Sequence, residues 1–321
     1  MMTATNNDLA IIIPAYNPRF FETALESLAG QTDQRFQVYV GDDAGPVEIQ
    51  QIARRFETRL NLIYHRFVEN LGGRSLAGHW NRCVALSDSP WVWLFCDDDV
   101  ADPSCVESFY RGLDTVSKEY DLFRFDLIKI LQDGRKRCLS PVPEVETACA
   151  FLESRLSSDR QSCVSQYLFS RKIFQEHGGF VEFPMAWCSD DASWFLFARA
   201  KGICRIEAPI YWRISGENIS SLRNLGIAKF KASAAFVDFI LDVLTTGEIE
   251  TNQIEFNRMK LLLKKWLLAK LKLRAPIHLS DMSTILREFP ERVKPSPPVL
   301  YAAISVANVR YGFRKFIIGD V

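Results

Sequence analysis

"WVWLFCDDDV", Trp91–Val100, runs an apolar stretch with the look of a buried β-strand straight into Asp97, Asp98 and Asp99. Adjacent carboxylates repel one another, and burial strips them of hydration. A strand that delivers three of them at its tip points to a cation, or to several hydrogen-bond donors, that meets them there. A solvated acidic loop would read the same in isolation, so the neighbouring segments decide.

Those segments alternate. "LAIII" (Leu9–Ile13), closed by Pro14, reads as a buried strand, and "FFETALESLAG" (Phe20–Gly30) has helical spacing with glycine at the C-cap. "FQVYVGDD" (Phe36–Asp43) is a second strand and "PVEIQQIARRFE" (Pro46–Glu57) a helix with proline in its first turn. "LNLIYHR" (Leu60–Arg66) is a third strand, "SLAGHWNRCVALS" (Ser75–Ser87) a helix, and "WVWLFC" the fourth strand. Strand–helix alternation with short links predicts a doubly wound, mostly parallel sheet. Ligands of such sheets sit beyond the carboxyl ends of the strands. Asp42, Asp43 and Asp97–Asp99 all fall at predicted strand ends, so one crevice could collect them. "PAYN" (Pro14–Asn17) and "GDDAG" (Gly41–Gly45) would give that crevice a ring to stack on, a carboxylate to accept from a base N–H, and a small-residue turn.

Further along, "YDLFRFDLIKIL" (Tyr120–Leu131) reads as a strand and "DDASWFLFARAKG" (Asp190–Gly202) as a helix. "CRIEAPIYWRI" (Cys204–Ile214) reads as two short strands around Pro209. From about Leu225 long amphipathic helices take over. The predicted organisation is a domain over residues 1–222 and a helical extension over residues 223–321.

Composition narrows the class. The 321 residues are 48% hydrophobic and 24% charged, which is ordinary for a packed domain. Lys+Arg and Asp+Glu stand at 39 each, so bulk charge gives no sign of a nucleic-acid partner. Eight cysteines without a Cys-x-x-Cys pair suit reduced thiols and a cytoplasmic setting. "MMTATNNDLA" lacks the pattern of a signal peptide, and no stretch is apolar enough for a membrane span.

With its motifs in this order, the chain resembles the inverting glycosyltransferases of family 2, which have the GT-A (nucleotide-diphospho-sugar transferase) fold with a Rossmann-like sheet. The resemblance runs from about Leu9 to Ser221. It is carried by "IIIPAYN", "VYVGDDAG", "ENLGG", "HWNRC", "FCDDDV", "HGGF", "SDDASWFLFARAKG" and "YWRISGENIS". The resemblance implies a donor nucleotide at Pro14, Ala15, Tyr16, Asn17 and Asp43, with Arg74 and Asn81 near the diphosphate. In the DXD element, Asp97 would take ribose hydroxyls and Asp99 a Mn2+ or Mg2+ ion, while Asp98 would be structural or touch the nucleotide. Asp191 would be the catalytic base, with Asp190 an acceptor contact or a helix cap. Arg213 would meet the diphosphate, and Trp187 could stack on the acceptor sugar or pack in the core.

Each role has a physical reason. Departure of a diphosphate builds negative charge, which a divalent cation held by carboxylate oxygens stabilises. Inverting transfer needs one general base opposite the leaving group, and a helix N-terminus favours its ionised form. "SDD" would serve equally as a plain helix cap.

The chain departs from the family pattern twice. Many relatives carry His two residues after this arginine, where it helps hold the metal, and here Ser215 stands instead. The spacing between Asn70 and Asn81 is longer than the common form.

The expected activity is non-processive transfer from a UDP-sugar to a saccharide or lipid-linked acceptor, as in bacterial surface polysaccharide, O-antigen or capsule synthesis. No Gln-x-x-Arg-Trp element is present. The alternatives are a sugar-nucleotide nucleotidyltransferase, against which the glycine-free "PAYNPRF" counts, and a non-catalytic sugar-nucleotide-binding protein. "LLLKKWLLAKLKLR" (Leu261–Arg274) could pack on the domain or lie on an anionic membrane at the inner face of the cell membrane. The helical region could also serve a homodimer.

Overall fold

The computed structural model describes residues 8–116, 119–139, 141–216, 226–246, 252–271 and 282–318. The strands are β1 (Leu9–Ala15), β2 (Phe36–Asp42), β3 (Leu62–Arg66), β4 (Trp91–Leu94), β5 (Val100–Ala101), β6 (Leu122–Ile130), β7 (Lys136–Cys138), β8 (Val145–Glu146), β9 (Tyr167–Ser170) and β10 (Ile203–Arg213). The helices are α1 (Pro18–Ala29), α2 (Val47–Phe56), α3 (Leu76–Val84), α4 (Cys105–Val116), α5 (Ala148–Ser157), α6 (Arg171–Glu176), α7 (Ser189–Phe197), α8 (Gly226–Thr245), α9 (Gln253–Lys270), α10 (Met282–Glu288) and α11 (Pro297–Ile318).

Among the described residues the strands form one sheet in the order β3-β2-β1-β4-β9-β6-β10-β5, with β7 on β6 and β8 on β10. β1 pairs in parallel with both β2 and β4, and β2 with β3. The chain therefore winds outward from β1 to β3, then returns to β4 on β1's other side. That reversal makes a crevice at the carboxyl ends of β1 and β4. The sheet is mixed, because β9 runs antiparallel to β4 and to β6.

The unbroken apolar run of β1 follows from burial on both faces. Leu9, Ile11 and Ile13 enter one core with α1, α2 and α4, and Ala10 and Ile12 enter the other with α3, α5 and α7. The C-terminal helices add Phe236, Ile240, Leu263, Trp266 and Leu267 to this second core. The basic helix read from Leu261 onward is the end of α9, with Met259, Leu263, Trp266 and Leu267 buried; residues 272–274 lie outside the described residues. Its apolar stripe is thus used in packing. Among the described residues no helix is long and apolar enough to cross a membrane.

Local differences from the sequence reading have simple causes. The fourth strand ends at Leu94 rather than Cys96, because the Cys96 N–H turns to Ser165 Oγ at 2.9 Å. The two short strands expected around Pro209 are one strand, β10, whose register against β6 shifts between Ile206 and Pro209. Proline cannot donate to a ladder, and the bulge absorbs it. Pro46 caps α2 rather than opening it. The α7 helix stops at Phe197, well before Gly202, whose φ of 83° makes the following turn.

Candidate active site

Two cavities open side by side at the β1/β4 switch point. The first, about 600 Å³, is lined by Pro14, Ala15, Tyr16 and Asn17 from the end of β1, by Asp43, and by Asn70, Gly72 and Gly73. His79, Asp97 and Ser215 complete much of its wall. The Tyr16 side chain is 54% exposed, so its ring is available for stacking. The second cavity, about 400 Å³, is lined by Asp190, Asp191, Arg155, Trp187, Trp212, Trp266 and Lys270 among others. Cys96 and Asp98 line both cavities.

The three acids at the β4 tip are differently held. Asp97 Oδ2 accepts the backbone N–H groups of Tyr16 and Asn17, both at 3.0 Å, which locks the tip of β4 to the tip of β1. Asp99 is buried, and accepts from Ser165 Oγ at 2.6 Å and from the Arg213 N–H at 3.0 Å. Asp98 faces both cavities, and its carbonyl accepts from Arg213 Nε at 2.9 Å. Burial, and the charges of its two neighbours, push the Asp98 carboxyl well above its ordinary value. Burial likewise raises Asp97 and Asp99. The repulsion read from the sequence is therefore present. Cys96, Asp98 and Asp99 bring one ligand atom each to within 4.8 Å of one another.

Asp42 and Asp43 divide in the same way. Asp42 is fully buried and structural, accepting from Gly45 N–H at 2.7 Å, Arg66 Nη1 at 2.6 Å and the Tyr64 hydroxyl. Asp43 borders the cavity and anchors the Asn/Gly segment through the Leu71 and Gly72 N–H groups at 2.9 and 2.8 Å. Arg82 and His79 close over it. The His79 ring accepts from Arg82 Nε at 3.0 Å, and burial pushes its pKa down to about 4. The ring is therefore neutral near pH 7, and its 3.3 Å contact with Asp43 is no ion pair.

Arg74 and Asn81 stand apart from both cavities. Arg74 pairs with Glu69 at 2.8 Å on the surface. Asn81 clamps the Gly-Gly-Phe turn, accepting the Phe180 N–H at 2.8 Å and donating to its carbonyl at 3.3 Å. Gly179 there has a φ of 99°, and a Cβ would lie 2.8 Å from the Asn81 amide oxygen.

The acidic pair sits in the first turn of α7. It is capped not by a side chain but by Cys188 with a φ of 67°. Met185 and Ala186, just upstream, also have positive φ. Such residues store roughly 1–3 kcal/mol each and persist where the surroundings fix them. Arg155 of α5 grips Asp191 with both prongs, Nε to Oδ1 at 2.8 Å and Nη2 to Oδ2 at 3.0 Å. Asp190 has no ion pair among the described residues; burial and the Asp191 charge push its carboxyl up to about 7. The Trp187 indole N–H donates to Ser233 Oγ at 3.1 Å, so α8 fixes that ring at the cavity edge.

Several residues of the site carried no signal in the sequence. Arg155 meets Asp191 across 36 positions, and Ser165 meets Asp99 across 66. Trp266 and Lys270 arrive from the helical region, and burial lowers the Lys270 pKa. His79 reads in the sequence either as a residue near the donor site or as an ordinary polar helix position; the structure sets it in the wall of the first cavity, with Cys83 packed beside it one helix turn later.

The switch-point crevice thus joins a nucleotide-sized cavity to one holding paired carboxylates. Residues 10–156 match the family model described as Glycosyl transferase family 2. The fold is the GT-A fold of the TarS fragment 1–349 from S. aureus, solved in complex with UDP-GlcNAc. The two superpose with a TM-score of 0.69 over 96% of this chain and 91% of that one, at 17% identity. The mannosyltransferase PcManGT from Pyrobaculum calidifontis, solved with GDP-Man and Mn2+, matches with a TM-score of 0.53 over 98% of this chain and 88% of that one, at 13% identity. No curated protein matches the chain in sequence. The family match supports a nucleotide-sugar glycosyltransferase rather than the nucleotidyltransferase alternative.

Proposed function

We propose that the protein is a non-processive, inverting glycosyltransferase that moves a sugar from a nucleotide-diphosphate sugar, UDP-linked by resemblance, to a saccharide acceptor. The observation that carries this reading is the shared wall: Asp98 borders both cavities, so the bond to be broken would lie between them. The nucleotide occupies the first cavity, its base against Tyr16 and Asp43 and its ribose near Asp97. The sugar and the acceptor hydroxyl meet in the second.

The chain's own groups then have these tasks. Asp191 takes the proton of the attacking hydroxyl. Arg155 holds both its oxygens and so fixes their direction. Asp190 contacts the acceptor. Trp187 offers the acceptor ring a flat apolar face. Arg213, which lines neither cavity, is tied to the Asp98 carbonyl and lies over the Phe20 ring of the nucleotide side, from where it would reach the diphosphate.

The acids fit a cation: two carboxylates lie within bridging span, and each is raised by burial and by its neighbours. Asp99 and Asp98 would hold Mn2+ or Mg2+, Asp98 joining the ligand set because it lines both cavities. A bound cation would offset the charge that builds on the departing diphosphate. By resemblance the acceptor is a growing, lipid-linked surface glycan, met at the cytoplasmic face of the membrane. Lys265, exposed on α9, and Lys264, half-buried beside it, would supply electrostatic contact there.

The test is incubation with UDP-, dTDP- and GDP-sugars and Mn2+, with water as acceptor, followed by nuclear magnetic resonance of the first-formed sugar. One donor is expected to turn over with the anomer inverted, and EDTA to stop it. A retained anomer would overturn the inverting reading, and turnover of no donor would overturn the transferase reading.

A further inference from the structure

We propose that Cys96 is a third ligand of the cation site at the β4 tip, and that its thiolate makes the site favour a thiophilic divalent ion, Zn2+ or Cd2+, over Mg2+. The inference rests on the reading of Asp98 and Asp99 as cation ligands. The Cys96 Sγ and one oxygen each from Asp98 and Asp99 lie within 4.8 Å of one another. An ion about 2.3 Å from sulfur and about 2.1 Å from oxygen spans such a set. Among the described residues this is the one group of three or more His, Cys, Asp or Glu residues with that span, and it contains no histidine.

Ser165 ties the set together. Its hydroxyl accepts the Cys96 N–H at 2.9 Å and donates to Asp99 Oδ2 at 2.6 Å, and it is fully buried. Hydrogen bonds of this kind orient ligands around a metal. Cys96 and Asp98 also open on both cavities, which leaves room for oxygens of a bound diphosphate. Oxygen-only sets suit Mg2+, whereas a thiolate selects softer ions. Binding replaces the S–H bond by a sulfur–metal bond, the proton leaves to solvent, and nothing is oxidised or reduced. Ser215, where many relatives carry a helping histidine, lines only the nucleotide side of this arrangement. In this chain the third ligand comes from the strand itself.

The test uses the full chain with Cd2+ alone, followed by the ultraviolet charge-transfer band of a cadmium thiolate, and with Mn2+ alone, followed by electron paramagnetic resonance of the free ion. The native protein is expected to give a saturable band. Cys96→Ser should remove it and weaken Cd2+ by more than the ~100-fold upper end that loss of an orienting neighbour causes, with Mn2+ binding little changed. Cys163→Ser and Cys188→Ser, in the second cavity, should keep the band. Cys96→Asp, a variant that restores an oxygen ligand if Cys96→Ser folds poorly, should bind Mn2+ at least as well and lose the preference for Cd2+. No band in the native protein, or a band intact in Cys96→Ser, overturns the inference. Native Mn2+ affinity in Asp98→Asn and Asp99→Asn would instead overturn the cation-site reading beneath it.

Discussion

The two cavities are built on different principles. The nucleotide side is made of backbone held by carboxylates: Asp97 fixes the Tyr16–Asn17 turn and Asp43 fixes Leu71 and Gly72. All of it lies at the ends of neighbouring strands or the loops that follow them. The side proposed for the acceptor is made of side chains from α5, α7, α8 and α9, elements far apart in the chain. A sheet end can present only a few groups, which suits a ligand part common to many reactions. A wall of separate helices can be exchanged piece by piece, which suits an acceptor that differs from protein to protein.

If that contrast is right, damage on the two sides has different signatures. The largest effect is expected for Asp191→Asn, which should lower transfer by ~10²–10⁴-fold, the range of a general base, while donor binding measured by calorimetry stays native. Asp98→Asn should lower turnover by ~10²-fold or more, comparable to loss of an electrostatic stabiliser, and here donor binding in Mn2+ should fall with it. Leu263→Ala, in the core shared by α9 and the sheet-facing helices, should cost ~2–5 kcal/mol of stability in denaturant titration. Because α9 also carries Trp266 and Lys270, loss of acceptor turnover should precede loss of nucleotide binding as that variant is warmed.

Two smaller effects depend on pH. Asp190, raised to about 7 by burial and by Asp191, is protonated below that pH and charged above it. Transfer rate should climb as pH passes through about 7, and Asp190→Asn should flatten that rise in a kcat profile. On the nucleotide side His79 works on stability. Its folded pKa, about 4, lies below the unfolded value near 6.5, so the unfolded chain binds the extra proton first. The stabilisation is complete above pH ~6.5 and is lost as pH falls toward about 4. Melting temperatures of the native protein should drop over that window more than those of His79→Gln.

The same contrast explains what the sequence made legible. The β1, β2 and β4 ends were readable because each is one short run: an apolar strand, a proline or glycine, an acid. The order of those runs carried the fold. The division of labour among Asp97, Asp98 and Asp99 was less readable, because side-chain direction changes where the chain leaves the sheet at Leu94. Asp98, the acid whose role was left open, is the one that borders both cavities. Arg74 and Asn81 were reached through spacing alone; in the structure one lies on the surface and the other braces Phe180. Arg155, Ser165 and Lys270 could not be read locally, since each acquires its meaning from a partner brought near by the fold. The basic stretch of α9 fitted both a membrane face and a packed helix, and its periodicity is the same in either case.

The central claim, that one crevice binds a nucleotide sugar through the strand-end acids and delivers it to the α7 carboxylates, is tested most directly by calorimetric titration of nucleotide sugars into the native protein, Asp98→Asn and Asp191→Asn. One donor is predicted to bind the native protein and Asp191→Asn alike in Mn2+, and to bind weakly to Asp98→Asn or in EDTA. Equal donor binding by all three proteins with and without metal, or binding of no nucleotide sugar by any of them, would contradict the account.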